Sequence, residues 1–267
     1  MICVIPALPN ALCGRLKKID MKKLDLLEIM FRLLYVPKCV ACGERLPLTH
    51  PDGVLCEFCR GRYENEKEAT CPVCAMRMSD CCCILPGLPK SRVQRMIKLV
   101  RYRPALEDAS ASVIYALKHR RLKNLHRFIG KEMAYPLSRM IEDPCEWMVT
   151  YPPRSRKSLR HDGFDHAAAA AREIAAQLGV AYLPTLKRVG GGAAQKKLSR
   201  TDRLAAAKEN YRIRENAPVQ GKRLILFDDI CTTGATLTAC ARLLYRAGAR
   251  EVVFAVIAHT VDKGKSL

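Results

Sequence analysis

The stretch Leu224-Ile225-Leu226-Phe227-Asp228-Asp229-Ile230-Cys231-Thr232-Thr233-Gly234-Ala235-Thr236-Leu237 decides the fold. Its apolar run over 223–230 predicts a strand buried on both faces, as in a parallel sheet. A short polar turn follows, then a helix over 235–247 stopped by Gly248. Outward from this unit, 251–258 reads as a further strand, 147–151 as a strand ended by Pro152-Pro153, and 180–183 as another. The Ala-rich 165–178 predicts a helix terminated by Gly179, and the basic stretch 109–142 reads as helical. Alternation of strand and helix places the chain in the α/β class with a parallel sheet.

The turn carries the chemistry. Ligands of open α/β sheets bind beyond the carboxyl ends of the strands. A helix start offers unpaired N–H groups and the positive end of its dipole. Thr232, Thr233 and Thr236 add hydroxyl donors, Gly234 lets the backbone approach closely, and Ala235 opens the helix, together making a seat for a monophosphate. Asp228 and Asp229 would be repelled by that phosphate, so they face something else: ribose hydroxyls, directly or through hydrated Mg²⁺. A 5-phosphorylated ribose satisfies both halves.

The rest of the chain bounds the reading. Of 267 residues 49% are apolar, enough for a packed core, yet no uninterrupted apolar run has transmembrane length. Basic residues follow the mildly apolar start rather than precede it, the wrong order for a secretory leader, so a cytoplasmic location is expected. The net charge of +20 is unevenly placed: +3 over 1–90 and +17 over 91–267, a field suited to a polyanionic partner. Nine of the fourteen cysteines fall between Cys39 and Cys83. Cys39-x-x-Cys42 with Cys56-x-x-Cys59, and Cys71-x-x-Cys74 with two of Cys81-Cys82-Cys83, read as tetrathiolate sites for one or two structural Zn²⁺ ions. Cys81 and Cys83 are the favoured members of the last run, and a crossed pairing of Cys39/Cys42 with Cys71/Cys74 is also open. Leu24, Leu27, Phe31 and Leu34 mark an amphipathic helix over 21–35.

The 224–237 string resembles the type I phosphoribosyltransferase fingerprint. That resemblance implies that Asp228 and Asp229 bind the ribose hydroxyls, and that 232–236 hold the 5-phosphate. It further implies a diphosphate loop after an earlier strand, here within 151–166, where Arg154, Arg156, Lys157 and Arg160 supply positive charge. The segment 190–203 would be the loop that closes over the donor, with Gln195, Lys196 and Lys197 as its ligands. With the cysteine pairs, and with Ala116-Leu117-Lys118-His119, Gly163-Phe164-Asp165-His166 and Gln195-Lys196-Lys197-Leu198, the chain resembles the ComF competence family over about 25–260. The chain departs from the family pattern in two places: Thr150-Tyr151-Pro152-Pro153 stands where members carry Val-Pro-Val-Pro, and Asp162 precedes Gly163-Phe164 where members carry arginine, which replaces attraction by repulsion beside a diphosphate.

The expected organisation is an N-terminal extension and helix over 1–35, a zinc-ribbon module over 36–90, and a Rossmann-like type I phosphoribosyltransferase domain over 91–267. Two activities follow from the resemblance. One is pentosyl transfer from 5-phosphoribosyl 1-diphosphate with Mg²⁺, in which Asp228 and Asp229 hold the ribose and steady positive charge at its anomeric carbon. The other is a non-catalytic sensor of that donor which holds single-stranded DNA through the basic stretch from Lys118 to Arg127 and the zinc module, in partnership with DNA-uptake proteins.

Overall fold

The computed structural model describes residues 36–86, 88–89, 91–102, 108–189 and 210–260. The helix expected over 21–35 and the closing segment at 190–203 lie outside them. The elements in chain order are α1 (Glu57–Lys67), β1 (Met96–Arg101), α2 (Ala109–His119), α3 (Lys123–Ser138), β2 (Trp147–Thr150), α4 (Arg156–Asp162), α5 (His166–Leu178), β3 (Ala181–Tyr182), β4 (Leu186–Arg188), β5 (Tyr211–Ile213), β6 (Arg223–Cys231), α6 (Ala235–Arg246) and β7 (Glu251–His259).

Five strands form one parallel sheet in the order β1-β7-β6-β2-β3, and β4 and β5 make a separate antiparallel pair. The two-residue period of the strands sorts their side chains into two cores. Ile225, Phe227, Val253, Ala255 and Ile257 face one layer, built from α2, α3, α5 and the first cysteine segment. Leu224, Leu226, Val252, Phe254 and Val256 face the other, where α6 packs with Leu85, Val93 and Tyr211. On the first face α3 crosses α5 at Gly130, where an added Cβ would lie 2.8 Å from Cβ of Glu173, so only glycine permits the approach.

The basic stretch 109–142 is helical over α2 and α3, with a break between them. Arg120 (φ −124°, ψ 128°) and Leu122 (φ −105°, ψ 111°) are extended and break it. Arg120 and Arg121 are exposed and add nothing to an apolar face, so no packing sustains the helix across them. β1 was not expected, because Lys98 interrupts its apolar pattern, yet Lys98 is fully buried.

The described residues from Pro37 onward form one compact unit. Glu66 of α1 accepts the N–H groups of Ala109 (2.8 Å) and Ser110 (3.2 Å), capping α2 where Asp108 makes no side-chain cap. Lys67 reaches Glu132 of α3 at 2.6 Å, and Arg101 donates to the Thr70 carbonyl at 2.6 Å. The cysteine-rich segment is thereby docked on the sheet. Among the described residues no helix is long and apolar enough to cross a membrane.

Candidate functional site

β6 delivers Asp228 and Asp229 to the carboxyl edge of the sheet. The strand runs on to Cys231, and the carboxylates take up local backbone donors: the N–H of Asp229 donates to Oδ1 of Asp228 (2.9 Å), and that of Ile230 to Oδ1 of Asp229 (2.6 Å). Thr232 is exposed, Thr233 and Thr236 half-buried and Ala235 buried. Oγ1 of Thr233 accepts from the N–H of Ala235 at 3.4 Å, and Gly234 is the N-cap of α6 in the left-handed conformation (φ 67°). The space a Cβ would need at Gly234 is taken by the side chains of Leu88 and Pro89. Glycine is therefore required both for the turn and for the close seat of the 88–89 segment, a second demand that the sequence pattern did not reveal.

Asp229 is held from two sides. Its Oδ2 lies 3.1 Å from Nζ of Lys118 at the end of α2 and 3.1 Å from Nε2 of His166 at the start of α5. Nδ1 of His166 lies 3.2 Å from Nη1 of Arg154. A guanidinium only donates, so Nδ1 accepts and Nε2 carries the proton offered to Asp229. The motif pieces around 116–119, 163–166 and 228–229 thus meet at one carboxylate. Lys118 and His166 were not among the expected ligands; their signal lay in those same short motifs. Burial works to raise the Asp229 carboxyl, but His166 and Lys118 outweigh it and hold it at about 2. Burial, followed by the neighbouring Asp229 charge, pushes the Asp228 carboxyl well above the usual range. The pair therefore presents one fixed anion and one carboxyl that would ionise readily beside a cation. The donor set fits a hydrated Mg²⁺ or a ribose diol.

The segment after β2 is largely helical, where a loop was expected. Ser155 accepts the N–H of Ser158 at 3.1 Å and starts α4, which carries Arg156, Lys157 and Arg160, all exposed. Arg154 precedes it, half-buried, with Nη2 2.5 Å from Oδ2 of Asp162. Asp162 also pairs with Nδ1 of His161 at 2.7 Å; the His161 hydrogen bond, against slight burial and with help from Arg154, lowers its carboxyl. The aspartate that departs from the family pattern thus occupies the innermost cation of this segment. Lys196 and Lys197 lie outside the described residues.

The cysteines gather into two groups, Cys39/Cys42/Cys56/Cys59 and Cys71/Cys74/Cys81/Cys83, with the four Sγ atoms of each within 4.8 Å of one another. The crossed pairing is not formed, and Cys82 is exposed. Tetrahedral thiolates at about 2.3 Å from a zinc ion stand about 3.8 Å apart. Cys42 and Cys56 are 3.7 Å apart and Cys71 and Cys83 3.6 Å, while Cys81 stands closer, 3.2 Å from Cys74 and 3.1 Å from Cys83; both groups could hold a metal ion such as zinc. Nζ of Lys98 donates to Sγ of Cys81 (3.0 Å) and to the carbonyl of Cys83 (2.9 Å). Burial would raise the Cys81 thiol; Lys98 first among its partners lowers it to about 6.

A phosphoribosyl transferase domain profile matches residues 163–267. The DNA utilization protein YhgH of Salmonella typhimurium is 28% identical over 229 residues, covering 82% of this chain and 96% of that protein. The competence protein ComFC of Streptococcus pneumoniae is 24% identical over 238 residues, covering 80% and 96%. The chain is a homologue of proteins named DNA utilization protein YhgH and competence protein ComFC, with a phosphoribosyl transferase domain match over its last part. Among solved structures it is similar to the glutamine phosphoribosylpyrophosphate amidotransferase of B. subtilis, at 18% identity, with 54% of this chain and 30% of that chain covered and a TM-score of 0.36. The span matched by the phosphoribosyl transferase profile takes in α5, β6, α6 and β7, and with them His166, Asp228 and Asp229. It leaves Lys118 and Arg154 to the preceding residues.

Proposed function

We propose that the carboxyl edge of the sheet binds 5-phosphoribosyl 1-diphosphate with Mg²⁺, in a protein that serves DNA uptake or utilization. The observation that carries this reading is the junction of Asp228-Asp229 with the 232–236 turn, braced by Lys118 and His166 at Asp229. The 5-phosphate sits at the start of α6, and Asp228 and Asp229 take the ribose hydroxyls. Arg154 meets the diphosphate once released from Asp162. When bound, Mg²⁺ supplies charge that steadies the diphosphate as a leaving group. Two zinc ions staple the cysteine-rich module. Calorimetry with 5-phosphoribosyl 1-diphosphate and Mg²⁺ tests the site: saturable binding in the wild type and none in Asp228→Asn/Asp229→Asn is expected. No binding by folded, zinc-loaded wild type would refute it.

A second reading is a donor sensor that holds single-stranded DNA. Arg120, Arg121, Lys123 and Arg127 are exposed where α2 passes into α3. Tyr115, 61% exposed, sets its ring 4.6 Å from that of His119, beside this basic rim. The names of the relatives favour a nucleic-acid partner. Oligonucleotide affinity that falls steeply with salt is expected; a flat salt response would count against it.

A further inference from the structure

α6 has the phosphate turn at its amino end, and at its carboxyl end a different basic site. Its twelve residues separate the two by about 18 Å. There a cleft of about 460 Å³ is lined by Ser91, Arg92, Arg242, Tyr245 and Arg246, three arginines with no carboxylate among them. A second hollow of about 400 Å³ shares Arg92 and Tyr245 and adds Arg250.

Neighbouring carboxylates are already engaged by other arginines. Glu251 borders the second hollow, but it is engaged by Arg95 and, at 3.7 Å, by Arg223. Arg250 pairs with Glu146 at 3.2 Å. Arg92 and Arg246, both exposed, have no carboxylate partner among the described residues. Arg92 is nevertheless held in place: its guanidinium lies 4.5 Å from the centroid of the Tyr245 ring, and the Tyr245 hydroxyl is fixed by accepting the N–H of Val252 at 3.1 Å. One cation in the last turn would satisfy the helix dipole, and Arg246 does so. Arg92 comes from the segment before β1 and has no such duty. Concavity, excess positive charge and a pre-positioned guanidinium are the parts of an anion-recognition site.

We propose that this cleft binds a phosphate-bearing ligand, independently of the phosphate turn. Two hollows sharing the Arg92–Tyr245 wall suit a ligand with more than one phosphate: a free diphosphate group or successive phosphodiesters of a nucleic-acid strand.

Residue-resolved phenylglyoxal modification, read by peptide mass spectrometry on the full zinc-loaded chain, tests this. Inorganic pyrophosphate and oligothymidylate are the two probes, and exposed Arg45 is the control. Protection of Arg92 and Arg246 by pyrophosphate is expected if the source is a free phosphate compound. Protection by oligothymidylate alone assigns the site to a phosphodiester backbone, and also supports it. No protection by either probe, or equal protection of Arg45, overturns the proposal. Arg92→Ala/Arg246→Ala should weaken the protecting probe by about tenfold or more, with an unchanged unfolding transition. Unchanged affinity would overturn it as well. Neither outcome depends on whether the turn at 232–236 takes a phosphoribosyl group.

Discussion

Nζ of Lys98, with no exposed surface, lies 3.0 Å from Sγ of Cys81. A buried ammonium is stable only beside an anion, and a tetrathiolate zinc site, as proposed for this cysteine group, would supply one. Lys98 sits on β1, which pairs with β7, so the contact ties the second cysteine group to the sheet.

Lys98→Met keeps the volume and removes the charge. Breaking a buried pair from one side costs about 3 kcal/mol or more. Denaturant unfolding should show a loss of that order, and chelator competition should strip the 71–83 site before the 39–59 site. Equal release from both sites would show that Lys98 does not stabilise the metal centre.

Gly234→Ala places a side chain at φ 67°, where an L-residue costs about 1–2 kcal/mol, and drives its Cβ into Leu88. In a Leu88→Ala background the second cost disappears, so the loss from Gly234→Ala should be smaller there. A double-mutant cycle by chemical denaturation measures the difference. Additive losses would mean that the contact carries no energy.

Asp229 is depressed from 3.8 to about 2 by His166 and Lys118, against burial. A carboxyl depressed in the folded state stabilises the fold fully above its unfolded value. That contribution, about 2 kcal/mol here, is lost as pH falls from 3.8 toward 2. Lys118→Met should therefore move acid unfolding, followed by circular dichroism, to higher pH.

Asp228 has the opposite sign. Its folded value is raised by burial and by Asp229, so its contribution falls as pH rises from its ordinary value through the raised one. Asp228→Asn should raise the Tm of the ligand-free protein at pH 7 while abolishing phosphoribosyl diphosphate binding, the trade expected of a site strained for function. Near pH 3 the two Tm values should converge.

Asp162→Asn leaves Arg154 without its carboxylate partner. If the diphosphate competes with Asp162 for that guanidinium, the variant should bind phosphoribosyl diphosphate several-fold more tightly, with the gain shrinking at high salt. Calorimetry at two ionic strengths measures both.

Local patterns in the chain were enough for the parallel strand over 223–231, the turn, the helix behind it and the pairing of cysteines in Cys-x-x-Cys steps. Strand alternation, helix periodicity and turn chemistry act over a few residues and are written there directly. β1 was hidden because Lys98 looks like a surface residue until its thiolate partners are in view. The break at 120–122 was hidden because helix propensity does not say where packing ends. Tertiary structure alone decided which four cysteines share a site, that Lys118 and His166 meet Asp229 across 111 and 63 residues of chain, and that Leu88 lies on Gly234. These are contacts between distant segments, and their partners are chosen by sheet order and by the packing of its two faces, which no local pattern encodes.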